Sequence, residues 1–312
     1  MVLEELNPVT REKSDLVARA EDTLRLMHDW GYAPTLPMLA TDLLGGSVNL
    51  PTLDQSLRFA AGIRVKDGFV CLSGHEHLLD KSMERVRSHR LLNGHARILA
   101  DEFARDVTTL CPYVECIALS GSVASGGYDS RDDIDFDLFV RPGTKYLCYL
   151  LTVLVSLKYS WRYRKVKGAS LQKIAGLPKV TCVNVVWTQD QTKPFVRQDA
   201  AMAFELLHCQ PLVGGDVFLQ VLEDNRWLEG YFPQLFGRTL TGVTEPRNNR
   251  LSLLFAGVER RPRMLRLLER ISRAAAWLLY AFAQATWGRQ PATRARIAFL
   301  KRVKYPYEVF QD

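Results

Sequence analysis

The sequence predicts an α+β protein: a mixed sheet with flanking helices, preceded by a small helical module and followed by basic helices. Three observations predict it. Residues 15–30 and 52–61 place apolar side chains at helical spacing, and residues 63–72 then switch to short strands about a turn. Two apolar runs, 116–119 and 134–140, flank a stretch rich in glycine and serine, and the second alternates acids with apolar residues. A third run at 179–187 is apolar and β-branched and follows an apolar helical stretch at 145–159.

Taken in order, Leu16, Ala20, Leu24 and Met27 line one face of the first helix, which Gly31 ends. A short helix is expected over 37–44, broken by Gly45-Gly46, and a third over 52–61, opened by Leu50-Pro51-Thr52. Residues 63–72 read as a hairpin about Asp67-Gly68. Three helices and a hairpin are the layout of a winged-helix domain, so residues 1–72 are assigned to a winged-helix-like module. A DNA-reading version places its third helix in the major groove. Here that helix has Arg58 as its only base, beside Asp54, so packing or protein contact is the preferred role.

Residues 73–110 form a helical connector bearing Lys81, Arg85, Arg87, Arg90 and Arg97. Its histidines, His75, His77, His89 and His95, stand at no metal-ligand spacing and read as surface or boundary residues. Residues 111–240 hold the central sheet. Within them, 197–208 is an amphipathic helix, Gln210-Pro-Leu-Val-Gly-Gly a helix stop and turn, and 216–225 a further helix. A polar stretch at 241–249 is a linker to a basic helical segment, 250–312. There Arg263, Arg266, Arg270 and Arg273 share one helix face, either following a phosphate backbone or simply solvated.

The chemistry concentrates in Leu119-Ser-Gly-Ser-Val-Ala-Ser-Gly-Gly-Tyr-Asp-Ser-Arg-Asp-Asp-Ile-Asp-Phe-Asp-Leu. Side chains alternate across a strand, so Asp133, Asp135 and Asp137 share one face and Ile134, Phe136 and Leu138 the other. Adjacent carboxylates repel unless a cation sits among them. Oxygen donors of this kind suit Mg²⁺, which takes one or two carboxylates together with substrate phosphates. The Gly121-Ser122 turn can offer backbone N–H groups and a hydroxyl to those phosphates.

Gly121-Ser122, the intervening residues 123–132 and Asp133-Ile-Asp135 in an apolar strand resemble the signature of the DNA polymerase β superfamily of nucleotidyltransferases. Gly126 falls where many members carry a glycine. The downstream order of Cys-Val-Asn, Arg-Gln-Asp, Pro-Leu-Val-Gly, Asn-Arg-Trp and Phe-Pro is similar to a group of uncharacterised bacterial and archaeal nucleotidyltransferase-domain proteins. The resemblance thus extends over residues 116–236. It implies a polymerase β-like core that moves a nucleoside monophosphate from an NTP to an acceptor hydroxyl. Asp133 and Asp135 would be the Mg²⁺ ligands, and Gly121 and Ser122 would bind nucleotide.

The superfamily usually takes a third carboxylate from a later strand. Here that strand, 179–187, has no acid, and Asn184 is its central polar residue. Asparagine coordinates through its carbonyl oxygen but takes no proton at neutral pH. Asn184 is therefore read as nucleotide-binding. Asp137 either replaces the missing acid or is a buried carboxylate paired with Arg162 or Lys179.

Composition sets the frame for partners. Lys and Arg number 41 against 34 Asp and Glu, a net charge of +7 with pI near 9.1, which favours NTP and leaves RNA, other nucleic acid or protein open as acceptor. The aromatic and basic run at 158–167 either holds a triphosphate or is an amphipathic helix end. Residues 1–14 do not resemble a signal peptide, and no apolar run is long enough to span a bilayer. Six scattered cysteines without a Cys-x-x-Cys pair fit a reducing compartment. The expectation is a cytoplasmic protein with no membrane partner. A catalytically silent nucleotide-binding regulator is the competing reading.

Overall fold

The computed structural model describes residues 8–165, 173–174, 177–240, 257–258, 260–287 and 294. The expected linker at 241–249, the end of the basic run at 166–167 and the tail beyond 287 (Arg294 apart) lie outside the described residues. Two compact units divide the chain. The first comprises Met1–Arg87, Asp199–Leu207 and Arg226–Arg238, and the second Ser88–Gln198, His208–Asn225 and Thr239–Asp312. The chain thus passes twice more into the first unit after residue 198.

In the first unit, helix α1 (Pro8–Asp29) buries Leu16, Ala20, Leu24 and Met27, the stripe expected from their spacing. Helix α2 (Leu36–Thr41) starts one residue early, where Thr35 caps it at Met38 N–H, and ends before the expected Leu44, ahead of the turn through Gly45 and Gly46 at positive φ. Helix α3 (Leu50–Leu57) starts early because the Asn49 side chain accepts from Thr52 N–H at 2.9 Å. Arg58, at its C-cap, is ion-paired to Asp54 at 2.7 Å. Strands β1 (Ile63–Lys66) and β2 (Phe69–Leu72) pair antiparallel about Asp67-Gly68. Both turn residues have positive φ (52° and 78°), as the two-residue turn that matches strand twist requires.

His28 ties this hairpin to α1. Its Nδ1–H donates to Tyr32 O at 3.0 Å, leaving Nε2 to accept from Leu72 N–H at 3.0 Å. Burial lowers its pKa below 6.5, and the positive charge of nearby His75 and His77 adds to this. A depressed pKa makes the contribution complete above pH 6.5 and lost as pH falls through the folded value. The Leu72 amide is expected to exchange hydrogen faster, relative to Val70, at pH 5 than at pH 7.5. His28→Gln should remove that difference, and an unchanged Leu72/Val70 ratio in the wild type would contradict it.

The second unit is a mixed four-stranded sheet of order β7-β4-β3-β8. Helix α4 (His77–Leu110), in which the two units divide, leads into β3 (Val114–Ser120). A helical turn α5 (Gly121–Ala124) and a loop return the chain as β4 (Ile134–Val140), antiparallel to β3. Helix α6 (Lys145–Arg162) and the short strands β5 (Lys173–Ile174) and β6 (Leu177–Pro178) then precede β7 (Thr181–Thr188), which pairs parallel with β4. A parallel neighbour needs such a crossover, and α6 supplies it.

Phe136 packs on Phe103 of α4 at 4.5 Å between ring centroids, and Phe103 meets Tyr159 of α6 at 5.5 Å. On the opposite face Phe139 meets Trp187 of β7 at 5.2 Å and Phe218 at 6.0 Å. Both faces of β4 are therefore covered, and all seven of its residues are buried. The acids at 135 and 137 lie on the Phe139 face.

Helix α7 (Ala200–His208) starts three residues later than expected, where the Asp199 carboxylate accepts from Met202 N–H. The expected turn after it is instead strand β8 (Gln210–Val213), which adds to the free edge of β3. Its Pro211 lacks an N–H, which an edge strand tolerates. Helix α8 (Gly215–Glu223) follows from Gly214 at φ 69°. A Cβ on Gly214 would lie 1.8 Å from the Glu115 carbonyl oxygen, so only glycine fits there.

Helix α9 (Pro262–Trp287) packs on α6, and its Glu269 carboxylate accepts from Tyr146 N–H at 2.8 Å and Leu147 N–H at 2.9 Å. An acid thus satisfies the orphan amides that open α6. Arg263, Arg266, Arg270 and Arg273 are all exposed. Among the described residues, no helix is long and apolar enough to cross a membrane.

Candidate functional site

The site grows from one crossing of β3 and β4. Ser120 pairs with Asp135 in the antiparallel ladder, so the turn that follows Ser120 sits against that carboxylate. Gly121 turns the chain at φ 61°, and a Cβ there would lie 2.2 Å from Asp135 Oδ2 and 2.9 Å from its Cβ. The glycine is required twice, for the left-handed backbone and for the close approach. Ser122 follows at the start of α5, and its Oγ is buried with no hydrogen-bond partner.

Asp133 precedes β4 by one residue and Asp135 lies within it. Their carboxylates and the Cys182 thiol of β7 form a group whose donor atoms lie within 4.8 Å of one another. The parallel ladder puts Cys182 directly opposite Asp135. Lys179 forms an ion pair with Asp133. Burial would lower the Lys179 pKa, but the Cys182 sulfur and the Asp133 and Asp135 carboxylates outweigh it and raise it. Burial also pushes the Cys182 thiol up to about 12, against the opposing pull of Lys179. Tyr128, in the loop before Asp133, is held protonated up to about 12 by burial and then by the charges of Asp132, Asp133, Asp129 and Asp135.

That loop is internally braced. The Asp129 carboxylate accepts from Arg131 N–H at 2.7 Å and from its guanidinium at 2.7 Å, while Asp132 accepts from Asp129 N–H at 3.1 Å. Tyr128 N–H donates to His89 Nδ1 of α4 at 3.3 Å, which attaches the loop to that helix.

Asp137 is placed differently. It is fully buried, with Ser120 Oγ donating to its Oδ1 at 3.1 Å and Cys209 Sγ donating to its Oδ2 at 3.3 Å. Asn184 Nδ2 donates to the same Ser120 Oγ at 3.3 Å. Asn184 and Asp137 therefore share an internal chain of hydrogen bonds through Ser120, outside the Asp133, Asp135 and Cys182 group. The pairings expected for Asp137 do not form: Arg162 bonds Glu102 at 3.0 Å and Lys179 pairs with Asp133. Burial first, with the Asp135 charge adding, pushes Asp137 up to about 7 against the lowering pull of Cys209 and Ser120.

The reason for Asn184's position is the ladder. Phe136 pairs with Val183 but Asp137 with Val185, so Asn184 is the extra residue of an irregularity in β7. Such a bulge re-aims a side chain. Cys182 and Lys179 were not read as site residues from sequence. The signal for Cys182 was available, since it lies two residues from Asn184 on a strand with period two. Which β4 residue it faces depends on register, which the sequence does not contain.

In the basic and aromatic run, Lys158 bonds Asp106 of α4 at 2.8 Å, and the Arg164 guanidinium lies over Trp161 at 3.9 Å from the ring centroid. With the Arg162 pair, these contacts hold the end of α6 against α4 and onto itself.

The donor chemistry suits a divalent cation. Two carboxylates two residues apart supply hard oxygens, the Gly121 turn presses on one of them, and the next residue, Ser122, has a buried Oγ with no partner. Comparison of the chain with protein-family models, with curated proteins and with solved structures finds no match in any of the three.

Proposed function

We propose that the second unit is a polymerase β-like nucleotidyltransferase core that transfers a nucleoside monophosphate from an NTP to an acceptor hydroxyl of RNA, protein or a small molecule. The observation that carries this reading is the Gly121-Ser122 turn pressed onto Asp135, with Asp133 in the same donor group. Asp133 and Asp135 would hold Mg²⁺, which when bound neutralises charge developing on the phosphates. Ser122 Oγ is a hydroxyl with an unused donor for a phosphate oxygen. In the transfer, the acceptor oxygen bonds to the α-phosphorus and the bond to the bridging oxygen breaks. Pyrophosphate leaves with the electron pair. β7 has no carboxylate to take the hydroxyl proton, which passes to solvent water. The first unit is read with it as a winged-helix-like module that contacts protein, since Arg58 is already paired. Six free cysteines accord with a cytoplasmic setting.

A second reading has specific support. Asp137 and Asn184 are tied to each other through Ser120, and Lys179 occupies Asp133, an arrangement that also suits a nucleotide-binding regulator without turnover. Label transfer from each of four α-³²P NTPs with Mg²⁺ into RNA, protein and small-molecule fractions separates the two. Label in one fraction, absent with Asp133→Ala and Asp135→Ala, is the expected result. Bound NTP with no transferred label would establish the regulator instead.

A further inference from the structure

We propose that Cys182 is a third donor of the Asp133 and Asp135 cation site and selects a thiophilic divalent cation of the Zn²⁺ and Co²⁺ class over Mg²⁺. This rests on the reading of Asp133 and Asp135 as a cation site and goes beyond it.

Three observations carry it. The Cys182 sulfur and the two carboxylates already lie within 4.8 Å of one another on two chain segments held together by the β4 and β7 ladder. Cys182 stands opposite Asp135 in register, so the approach is set by strand pairing and not by a mobile loop. A cation is already drawn to the group, because the Lys179 ammonium pairs with Asp133.

Donor type then decides the metal. Mg²⁺ takes oxygen ligands and gains nothing from sulfur. Zn²⁺ and Co²⁺ bind thiolate and carboxylate together, and three protein donors with one open position is the pattern of catalytic rather than structural zinc. Charge closes as well: two carboxylates, one thiolate, a divalent cation and the Lys179 ammonium leave no net charge in a mostly buried group. On binding, the metal–sulfur bond replaces the S–H bond and the thiol proton leaves to solvent, with no change of oxidation state.

The test is a Co²⁺ titration of the full chain followed by absorption spectroscopy, with Cys182→Ser beside it and Mg²⁺ affinity measured by calorimetry. The expected result is one Co²⁺ per chain with a sulfur-to-cobalt charge-transfer band in the near ultraviolet. Cys182→Ser should abolish the band and weaken Co²⁺ by at least about 10–100-fold, the loss seen even for residues that only support a ligand. Its Mg²⁺ affinity should not fall, since Mg²⁺ takes oxygen donors and serine supplies one. Circular dichroism melts of both proteins confirm that the variant is folded. If it does not fold, iodoacetamide protection of Cys182 by Co²⁺ in the wild type replaces it. Co²⁺ bound without the band overturns the proposal and leaves the carboxylate site standing. Absence of binding by Co²⁺, Mn²⁺ and Mg²⁺ alike overturns both, with Lys179 as the site's own permanent cation.

Discussion

Gly121→Ala is expected to lower stability by about 2–5 kcal/mol and to abolish divalent-cation binding in whatever protein still folds. The stability loss has two sources. A left-handed backbone costs a non-glycine residue roughly 1–2 kcal/mol, and forcing an atom into an occupied space costs roughly 1–3 kcal/mol. The occupied space is the Asp135 carboxylate, 2.2 Å from the new Cβ, with the Asp135 Cβ at 2.9 Å. Rotating the carboxyl relieves only the first contact, so β4 or the turn has to shift. Either movement separates Asp135 from Asp133 and Cys182. Gly126→Ala is the control, because Gly126 also has positive φ (81°) but meets nothing within 4 Å. It should cost only the left-handed backbone penalty, roughly 1–2 kcal/mol, and leave binding intact. Urea denaturation and Mn²⁺ calorimetry on both variants check this. Equal losses for the two would mean that Gly121 serves the turn and not the site.

The second large effect is a pH dependence of stability from Asp137. Its carboxyl is fully buried among Ser120, Cys209 and the sheet, and its pKa rises from 3.8 to about 7. For an acid with a raised folded pKa, the folded state holds the proton more tightly than the unfolded chain does. Its contribution is complete below pH 3.8 and is lost as pH rises through 7. From 3.8 to about 7 is about 3 units, which at about 1.36 kcal/mol each gives on the order of 4 kcal/mol. The metal-free protein in EDTA should therefore lose stability steadily between pH 5 and pH 7 and level off above pH 8. Asp137→Asn keeps a neutral side chain of the same shape and should flatten that slope. A wild-type stability that rises over this range would show that Asp137 is ionised in the fold.

These two residues mark how far the sequence could be read. Asp133 and Asp135, two residues apart beside Gly121-Ser122, were legible because alternation in a strand is a local property. The same alternation put Asp137 on their face, as the structure does, but said nothing of depth. Asp137 is enclosed because Phe139, next on that face, packs against Trp187 and Phe218 from segments far along the chain. Asn184 was legible as the polar residue of its strand, yet its partner, Ser120, follows from a ladder irregularity that no local pattern encodes. Strand β8 reads as a turn in the sequence because Pro211 and the two glycines that follow the strand fall within six residues. Only the free edge of β3 makes a strand of them.

The sequence by itself determined the α1 stripe, the Asp67-Gly68 hairpin, the helix α6 between two strands and the pairing of a glycine turn with two carboxylates. Each depends on residues within a few positions of one another, where backbone geometry and side-chain periodicity suffice. The tertiary structure alone decided strand order, register, and hence the company each site residue keeps. It set Cys182 against Asp135, Lys179 on Asp133 and Asp137 out of reach of both. Those outcomes depend on how burial on two sheet faces is shared among segments more than forty residues apart, as Asp135 and Cys182 are, and that balance is struck only when the whole core is packed.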